Sequence, residues 1–381
     1  MRRGNKPSQR PLIIPIFVPH MGCPHHCVFC NQTSITGAGP DITMSSIAER
    51  IHEIFGKVAP RRSGRLSPVF RGFLDNQLRV GRRKAIRRQI AFYGGSFTAM
   101  DRTLQTQLLS AVQPLIRKGV IDSVRVSTRP DYIDLQILDL LKEYGVRTVE
   151  LGVQSMVEEV LRCAKRGHTI DDVLRAVELL HGRGFEVGIQ IMVGLPGDDA
   201  QGNAHTVDRV IRLNPHFTRI YPTVVLKGTL LEKWYRSGRY RPLSLEEAID
   251  ICKRAFLQFY RAGIPVIRLG LQSSPELETE DCVTAGPYHP AFGHLVKSSL
   301  FYDMATYLMA KSRGSRIFRG RVSPSDLSNI RGQKNENLHR LRERFGLSDI
   351  QIEVDAEQPR GSLILINGQE LDGISYRTLP C

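Results

Sequence analysis

The sequence predicts an α/β fold: a partial (β/α)6 TIM-like barrel followed by a small C-terminal α+β extension. Two observations predict the barrel. Short apolar runs alternate six times with segments of helical periodicity between Leu12 and Phe259, and strands that alternate with helices form parallel sheets with right-handed crossovers. Glycine-rich turns follow the strands, at the end where such folds assemble their sites. A third observation sets the extension apart. From about Pro290 the alternation gives way to one long helix and several short strands.

The elements follow in order. Leu12 to Val18 is an apolar first strand. Thr43 is placed to cap a helix whose apolar face is Ile47, Ile51, Ile54 and Phe55. Gln89 to Tyr93 is a second strand, ending in Gly94-Gly95-Ser96, and Asp101 caps the helix that carries Leu104, Leu108, Val112 and Leu115 inward. Val124 to Thr128 is the third strand, with Ile137, Leu138 and Leu141 on its helix. Val149 to Val153 is the fourth, and Thr169 starts a helix through Val173, Val177 and Leu180. Val187 to Val193 is the fifth, its helix bearing Val207, Val210 and Ile211. Ile220 to Leu226 makes a sixth strand, and Ser244 with Glu247 forms a capping box on a helix bearing Ile251, Phe256 and Phe259. Val266 to Leu271 is a candidate further strand. The extension reads as a helix 295–309, a strand near Ile317, a Ser-Pro-Ser-Asp turn, a polar helix through Leu341, and strands at 350–354 and 363–366.

At 381 residues the chain can bury a large core. The expected divisions are a basic tail at 1–10, a core at 11–264 with a basic insertion at about 60–88, and an extension at 265–381. Seven cysteines are too few and too odd for a disulfide scaffold, which points to a reducing interior. The apolar run at the start is too short and too interrupted for a signal peptide or a membrane span, so a soluble, cytoplasmic protein with no membrane partner is expected. Net charge is +15. Between Arg61 and Arg88 ten Arg or Lys stand against one acid, Asp75. That balance suits a polyanion, nucleic acid first, though a solvated loop has the same composition.

The chemistry centres on Cys23, Cys27 and Cys30, at spacing C-x3-C-x2-C directly after the first strand. Thiolates are soft ligands for iron–sulfur clusters and zinc. Three of them hold three corners of a [4Fe–4S] cube and leave one iron open, whereas a closed zinc site wants four ligands and would need His25 or His26.

With Phe29 before its third cysteine, this loop resembles the signature of radical S-adenosylmethionine (SAM) enzymes. Within that superfamily the chain resembles the Elongator catalytic subunit and the oxygen-independent coproporphyrinogen oxidase group. The motifs that carry this are Cys23 to Cys30, Ala91 to Phe97, Val149 to Ser155, Arg166-Gly167-His168-Thr169 and Gln190 to Gly197, within roughly residues 11 to 230. The resemblance implies a [4Fe–4S] cluster and SAM as cofactors, and reductive cleavage of SAM to methionine and a 5′-deoxyadenosyl radical. It implies an electron donor such as ferredoxin or flavodoxin.

Site roles follow from the same resemblance. Cys23, Cys27 and Cys30 are the metal ligands and the catalytic centre. Gly94, Gly95 and Ser96 hold the SAM amino group. Phe17 flanks the cofactor, with Phe29 in the cysteine loop. Ser127 stands where the oxidase group has an acid contacting SAM, Gln154 contacts the methionine part, and Arg166 pairs with the SAM carboxylate. Gln190 replaces an acid that binds the ribose hydroxyls. Gln190 also fits an interior amide, and Arg166 a surface cation. Tyr288 and His289 lie between prolines, in a substrate-holding loop or a tight connector. Cys282 is a radical quencher or an ordinary thiol, and Cys163, Cys252 and Cys381 lack second-cluster spacing. The implied function is modification of RNA, tRNA foremost. The alternatives are oxidation of an anionic, tetrapyrrole-type small molecule and metal-dependent nucleic-acid binding without catalysis.

Overall fold

The computed structural model describes residues 11–18, 20–23, 25–31, 87–272, 277–278, 282–312, 316–367 and 370–380. The Thr43-capped helix, the basic tail and all of the 61–88 stretch except Arg87 and Arg88 lie outside the described residues.

A parallel sheet of seven strands forms a curled half-barrel, in the order β1-β2-β3-β4-β5-β6-β8. Its first members are β1 (Leu12–Phe17) and β2 (Arg88–Tyr93), paired in register from Leu12 opposite Arg88. Helix α1 (Arg102–Arg117) follows, its first turn capped by the Asp101 carboxylate, which accepts from the N–H groups of Thr103 and Leu104. Leu108, Leu109 and Val112 on its inner face are fully buried. Next come β3 (Ser123–Thr128), α2 (Leu135–Glu143) capped by Asp134, and β4 (Val146–Gln154). A short helix α3 (Glu158–Cys163) precedes α4 (Ile170–Gly182) and β5 (Glu186–Val193).

The second half of the sheet continues with α5 (Ala200–Arg212) and β6 (Phe217–Pro222). The sixth strand ends at Pro222, not at Leu226, because proline has no N–H to give the ladder. Val225–Leu226 is a separate strand, β7. After it come α6 (Leu230–Arg236) and α7 (Leu245–Arg261), the latter with the full Ser244/Glu247 capping box. Strand β8 (Val266–Leu269) joins β6 as the seventh sheet member, where the sequence counted six and one candidate. Strand β9 (Val283–Ala285) turns back to pair antiparallel with β7.

The C-terminal part opens with α8 (Phe292–Lys311) and β10 (Ile317–Val322). The single polar helix expected through Leu341 is two, α9 (Leu327–Arg331) and α10 (Glu336–Phe345). Gly332, Lys334 and Asn335 all have positive φ and break it. Strands β11 (Asp349–Val354), β12 (Ser362–Asn367) and β13 (Glu370–Ser375) complete a four-stranded sheet in the order β11-β10-β12-β13. Its core joins Phe301, Phe318, Leu363 and Tyr376 to Phe256 and Leu257 of α7. Tyr376 meets Phe256 edge-on at 5.4 Å.

The chain divides into two compact units. The first takes Met1–Pro24, Gln32–Glu150 and Glu178–Glu186; the second takes His25–Asn31, Leu151–Val177 and Val187–Cys381.

Within the first unit a polar network runs across four strands. Arg125 is 2% exposed and donates to Glu150 Oε1 at 2.6 Å and to Gln89 Oε1 at 2.8 Å. Gln89 donates to Ser123 and Thr148, and Thr148 donates to Glu186 at 2.8 Å. Arg87 closes the chain with a bidentate pair on Glu186. The other described member of the basic stretch, Arg88, pairs with Asp122 at 3.5 Å. Both arginines therefore serve the fold.

Candidate cofactor site

In the first unit two glycines let the start of the cysteine loop lie against the turn after β2. The backbone of β1 continues past its end, with the N–H of Val18 donating to Tyr93 O and that of His20 to Gly94 O. The Ser96 N–H returns a bond to Met21 O at 2.9 Å. A Cβ on Gly95 would stand 2.4 Å from Met21 O and 2.7 Å from Val18 O. A Cβ on Gly22, whose φ is +69°, would meet Ser96 O at 2.3 Å. The glycines are thus required by backbone-to-backbone approach.

Ser96 is buried, and its hydroxyl is engaged by Thr128 Oγ1 at 3.1 Å and by the N–H of Arg129 at 3.3 Å. Cys23 emerges from this brace half-buried, its N–H donating to His20 O. Phe17 stacks loosely on Tyr93, with ring centroids 6.4 Å apart, and Ser127 is half-buried at the end of β3.

In the second unit the rest of the cysteine loop is held by Val28. Its side chain is fully buried among Val160, Ala164, Met192, Leu195 and Leu231, with Phe29 packed against the same cluster. Its N–H donates to Ala164 O, and its carbonyl accepts from the N–H of Leu231. Arg166, 7% exposed, donates from Nη1 to Cys27 Sγ at 3.0 Å and from Nη2 to Gly152 O at 2.7 Å. The surface-cation reading of Arg166 is therefore wrong for its position. The ring of His25 lies directly over Gly167, where any Cβ would meet it at 2.6 Å. Around these groups is a cavity of about 360 Å³ lined by His25, His26, Cys27, Cys30, Lys165 and Thr229 among others.

Gln154 ends β4 in the left-handed region at φ +69°, unusual for a residue with a side chain. It is 4% exposed, and its Oε1 has no partner; the Nε of Arg166 is buried and unpartnered as well. Buried polar atoms without partners are rare, and two in one unit favour a missing polar ligand. Gln190 is half-buried on β5.

The remaining candidates fall elsewhere. His289 Nδ1 accepts from the N–H of Ala291 at 3.0 Å, which braces the turn before α8. Cys252 is fully buried, which pushes its thiol up, and Cys163 bonds Glu159 at 3.3 Å. Among the described residues no three His, Cys, Asp or Glu side chains are gathered so as to hold a metal ion.

Two features escaped the sequence reading. The Arg125–Glu150 pair was visible as charged residues inside apolar strands. Asp198, after the Gly194-Leu195-Pro196-Gly197 turn, is pushed up to about 7 by burial, with the Asp199 charge adding and the Asp199 N–H opposing. Nothing in the sequence signalled it.

Residues 17–210 match the model of the radical SAM superfamily, and residues 215–301 that of the radical SAM C-terminal domain. The chain belongs to the radical SAM superfamily. The cofactors of this family are a [4Fe–4S] cluster and SAM. The donors present fit them: three cysteines on one loop, an arginine on one of their sulfurs, and a buried amide oxygen left open. Among its radical SAM relatives is a tRNA uridine(34) acetyltransferase of Methanocaldococcus jannaschii. It is 26% identical over 64% of this chain and 48% of its own length. An uncharacterised protein of the same organism is 29% identical over 71% of this chain and 78% of its own. An archaeal Elp3 from Methanocaldococcus infernus, solved without its N-terminus, superposes with a TM-score of 0.51 at 20% identity. It covers 80% of this chain and 63% of that one, and the likeness is one of fold. The chain spans about half the length of the acetyltransferase relative. Among the described residues no helix is long and apolar enough to cross a membrane.

Proposed function

We propose that this chain is a radical SAM enzyme in which Cys23, Cys27 and Cys30 ligate the cluster and Arg166 and Gln154 receive SAM. The observation that carries the reading is Arg166. It is buried, anchored on Gly152 O, in contact with Cys27 Sγ, and keeps an open Nε. A guanidinium so held is pre-organised to take a carboxylate beside the cysteine. When bound, the cofactors supply reductive cleavage of SAM and hydrogen-atom abstraction from substrate; a one-electron donor such as ferredoxin or flavodoxin is the partner this needs. The chain's own part is to bind, orient and exclude water. Val28 seats the loop in an apolar cluster, Gly22 and Gly95 admit its backbone, and Gln154 offers an acceptor to the SAM amino group.

RNA, tRNA foremost, is the proposed substrate class. The acetyltransferase relative acts on tRNA by its name, and a net charge of +15 favours a polyanion. The metal reading is tested by anaerobic reconstitution, with iron close to four per chain expected and loss of it in each of Cys23→Ala, Cys27→Ala and Cys30→Ala. Stoichiometric zinc without iron sinks it. The RNA reading is tested by tRNA binding across a salt series. Arg82→Ala/Arg83→Ala/Lys84→Ala should flatten the log–log slope by about 0.7–0.9 for each phosphate no longer neutralised. No tRNA binding at low salt removes it.

A further inference from the structure

Strands β6 and β8 carry two arginines side by side. Thr218 pairs with Val266, but the next pair is Arg219 with Arg268, a shift that leaves Ile267 as an extra residue. In an unbroken register Arg268 would oppose Ile220 and point to the other face of the sheet. The irregularity therefore turns Arg268 onto the face of Arg219. Like charges directly opposite on neighbouring strands cost stability, so a fold that spends a bulge on creating such a pair calls for an offsetting anion.

The surroundings are those of a receptor for one. Gln190 of β5 is the register partner of Arg219 on its other side. Arg219 Nη1 lies 3.3 Å from the Tyr221 hydroxyl, and Arg268 Nε donates to Gly270 O at 3.2 Å, which aims its guanidinium. Below this layer Phe217 fills the space over Gly188, so close that any Cβ there would stand 2.3 Å from the ring. All these side chains except Phe217 are half-buried, open to a ligand and shielded from bulk water. Burial holds Arg268 below the ordinary arginine range, with Tyr221 opposing and the Arg219 charge adding to the depression.

We propose that Arg219 and Arg268, flanked by the Tyr221 hydroxyl and the Gln190 amide, form a binding site for an oxyanion of the substrate, a phosphate or a carboxylate. Two guanidinium forks match either group with parallel hydrogen bonds. Assigning the anion to the substrate rests on the function proposed above, which gives the SAM carboxylate to Arg166. The anion site itself does not rest on it.

The test is thermal melting of the full-length protein, kept anaerobic, in inorganic phosphate and in acetate, each against chloride at equal ionic strength. Wild type should show a saturable rise in melting temperature. A response to phosphate identifies a phosphate group as the source, and a response to acetate alone a carboxylate. Arg268→Met and Arg219→Met should each weaken the apparent affinity by about 10-fold or more, as removal of one charged bidentate partner does. In chloride neither should melt below wild type, since each relieves the repulsion. No anion response in wild type, a response kept in both variants, or both variants melting lower in chloride would overturn the site. Neither iron nor SAM enters the measurement, so its failure leaves the cofactor assignment standing.

Discussion

Gly95→Ala should dislodge the cysteine loop. The new Cβ would stand 2.4 Å from Met21 O and 2.7 Å from Val18 O, about 1 Å short of an ordinary van der Waals separation from the nearer one. Both are backbone atoms, so no side-chain rotation relieves the overlap. Both also accept hydrogen bonds, Met21 O from Ser96 and Val18 O from Met21. Overpacking of this kind costs about 1–3 kcal/mol, and a distorted hydrogen bond adds about 1 kcal/mol, for a total of roughly 2–4 kcal/mol. Gly182→Ala is the control. It ends α4 with nothing within 4 Å of the added methyl, and alanine there should stabilise by about 0.4–1 kcal/mol. Urea unfolding of both variants beside wild type reads the two signs at once. A Gly95→Ala protein within about 0.5 kcal/mol of wild type would refute the close-approach argument, and with it the view that the glycine is there for the loop.

Arg166→Lys should raise the SAM dissociation constant about 10-fold or more, because lysine lacks the fork that meets a carboxylate; unchanged affinity by equilibrium dialysis would detach Arg166 from SAM. Arg125→Met strands the Glu150 carboxylate, 3% exposed, and should cost roughly 3–5 kcal/mol. Adding Glu150→Gln should recover part of that loss, and strict additivity in the double-mutant cycle would mean that the pair is not coupled. Asp198 carries a folded pKa of about 7 against an ordinary value of 3.8, so the native state holds its proton more tightly and stability falls as pH rises between those values. Asp198→Asn keeps an acceptor for the Asp199 N–H. It should match wild type near pH 4 and exceed it above pH 7 by roughly 1–3 kcal/mol after allowance for partial exposure. A variant no more stable than wild type at pH 8 would contradict this.

The sequence made most of the barrel legible, because burial on a parallel strand leaves a compact apolar run and each helix brings its own cap, as at Asp101 and Ser244. It misplaced the sixth strand by reading the apolar residues 224–226 through Pro222, where the missing N–H stops the ladder. It merged α9 and α10 because the left-handed residues Lys334 and Asn335 have no compositional mark. In the site, the cysteines and Arg166 stood out by spacing and motif. Gly95 was read as a ligand contact, whereas its neighbours are the carbonyls of Val18 and Met21, a proximity that only folding creates. Ser96 was expected at SAM, but its hydroxyl is already engaged by Thr128 and Arg129. The bulge that opposes Arg219 and Arg268 is a matter of register, which no single strand's sequence encodes.

Neither compact unit is a continuous piece of chain, and that bears on how the polypeptide is made. The first unit is incomplete until Glu186 has been synthesised, since that carboxylate is what Arg87 and Thr148 bind. The second draws its cysteine-loop segment, His25–Asn31, from near the start and its remainder from as far as Cys381. A nascent chain on the ribosome therefore cannot finish one unit and then begin the next, as strings of contiguous domains do. No truncation point liberates either unit whole, and the seat of Val28 on Leu231 closes only after the intervening two hundred or so residues have emerged, a loop closure of the kind that slows folding.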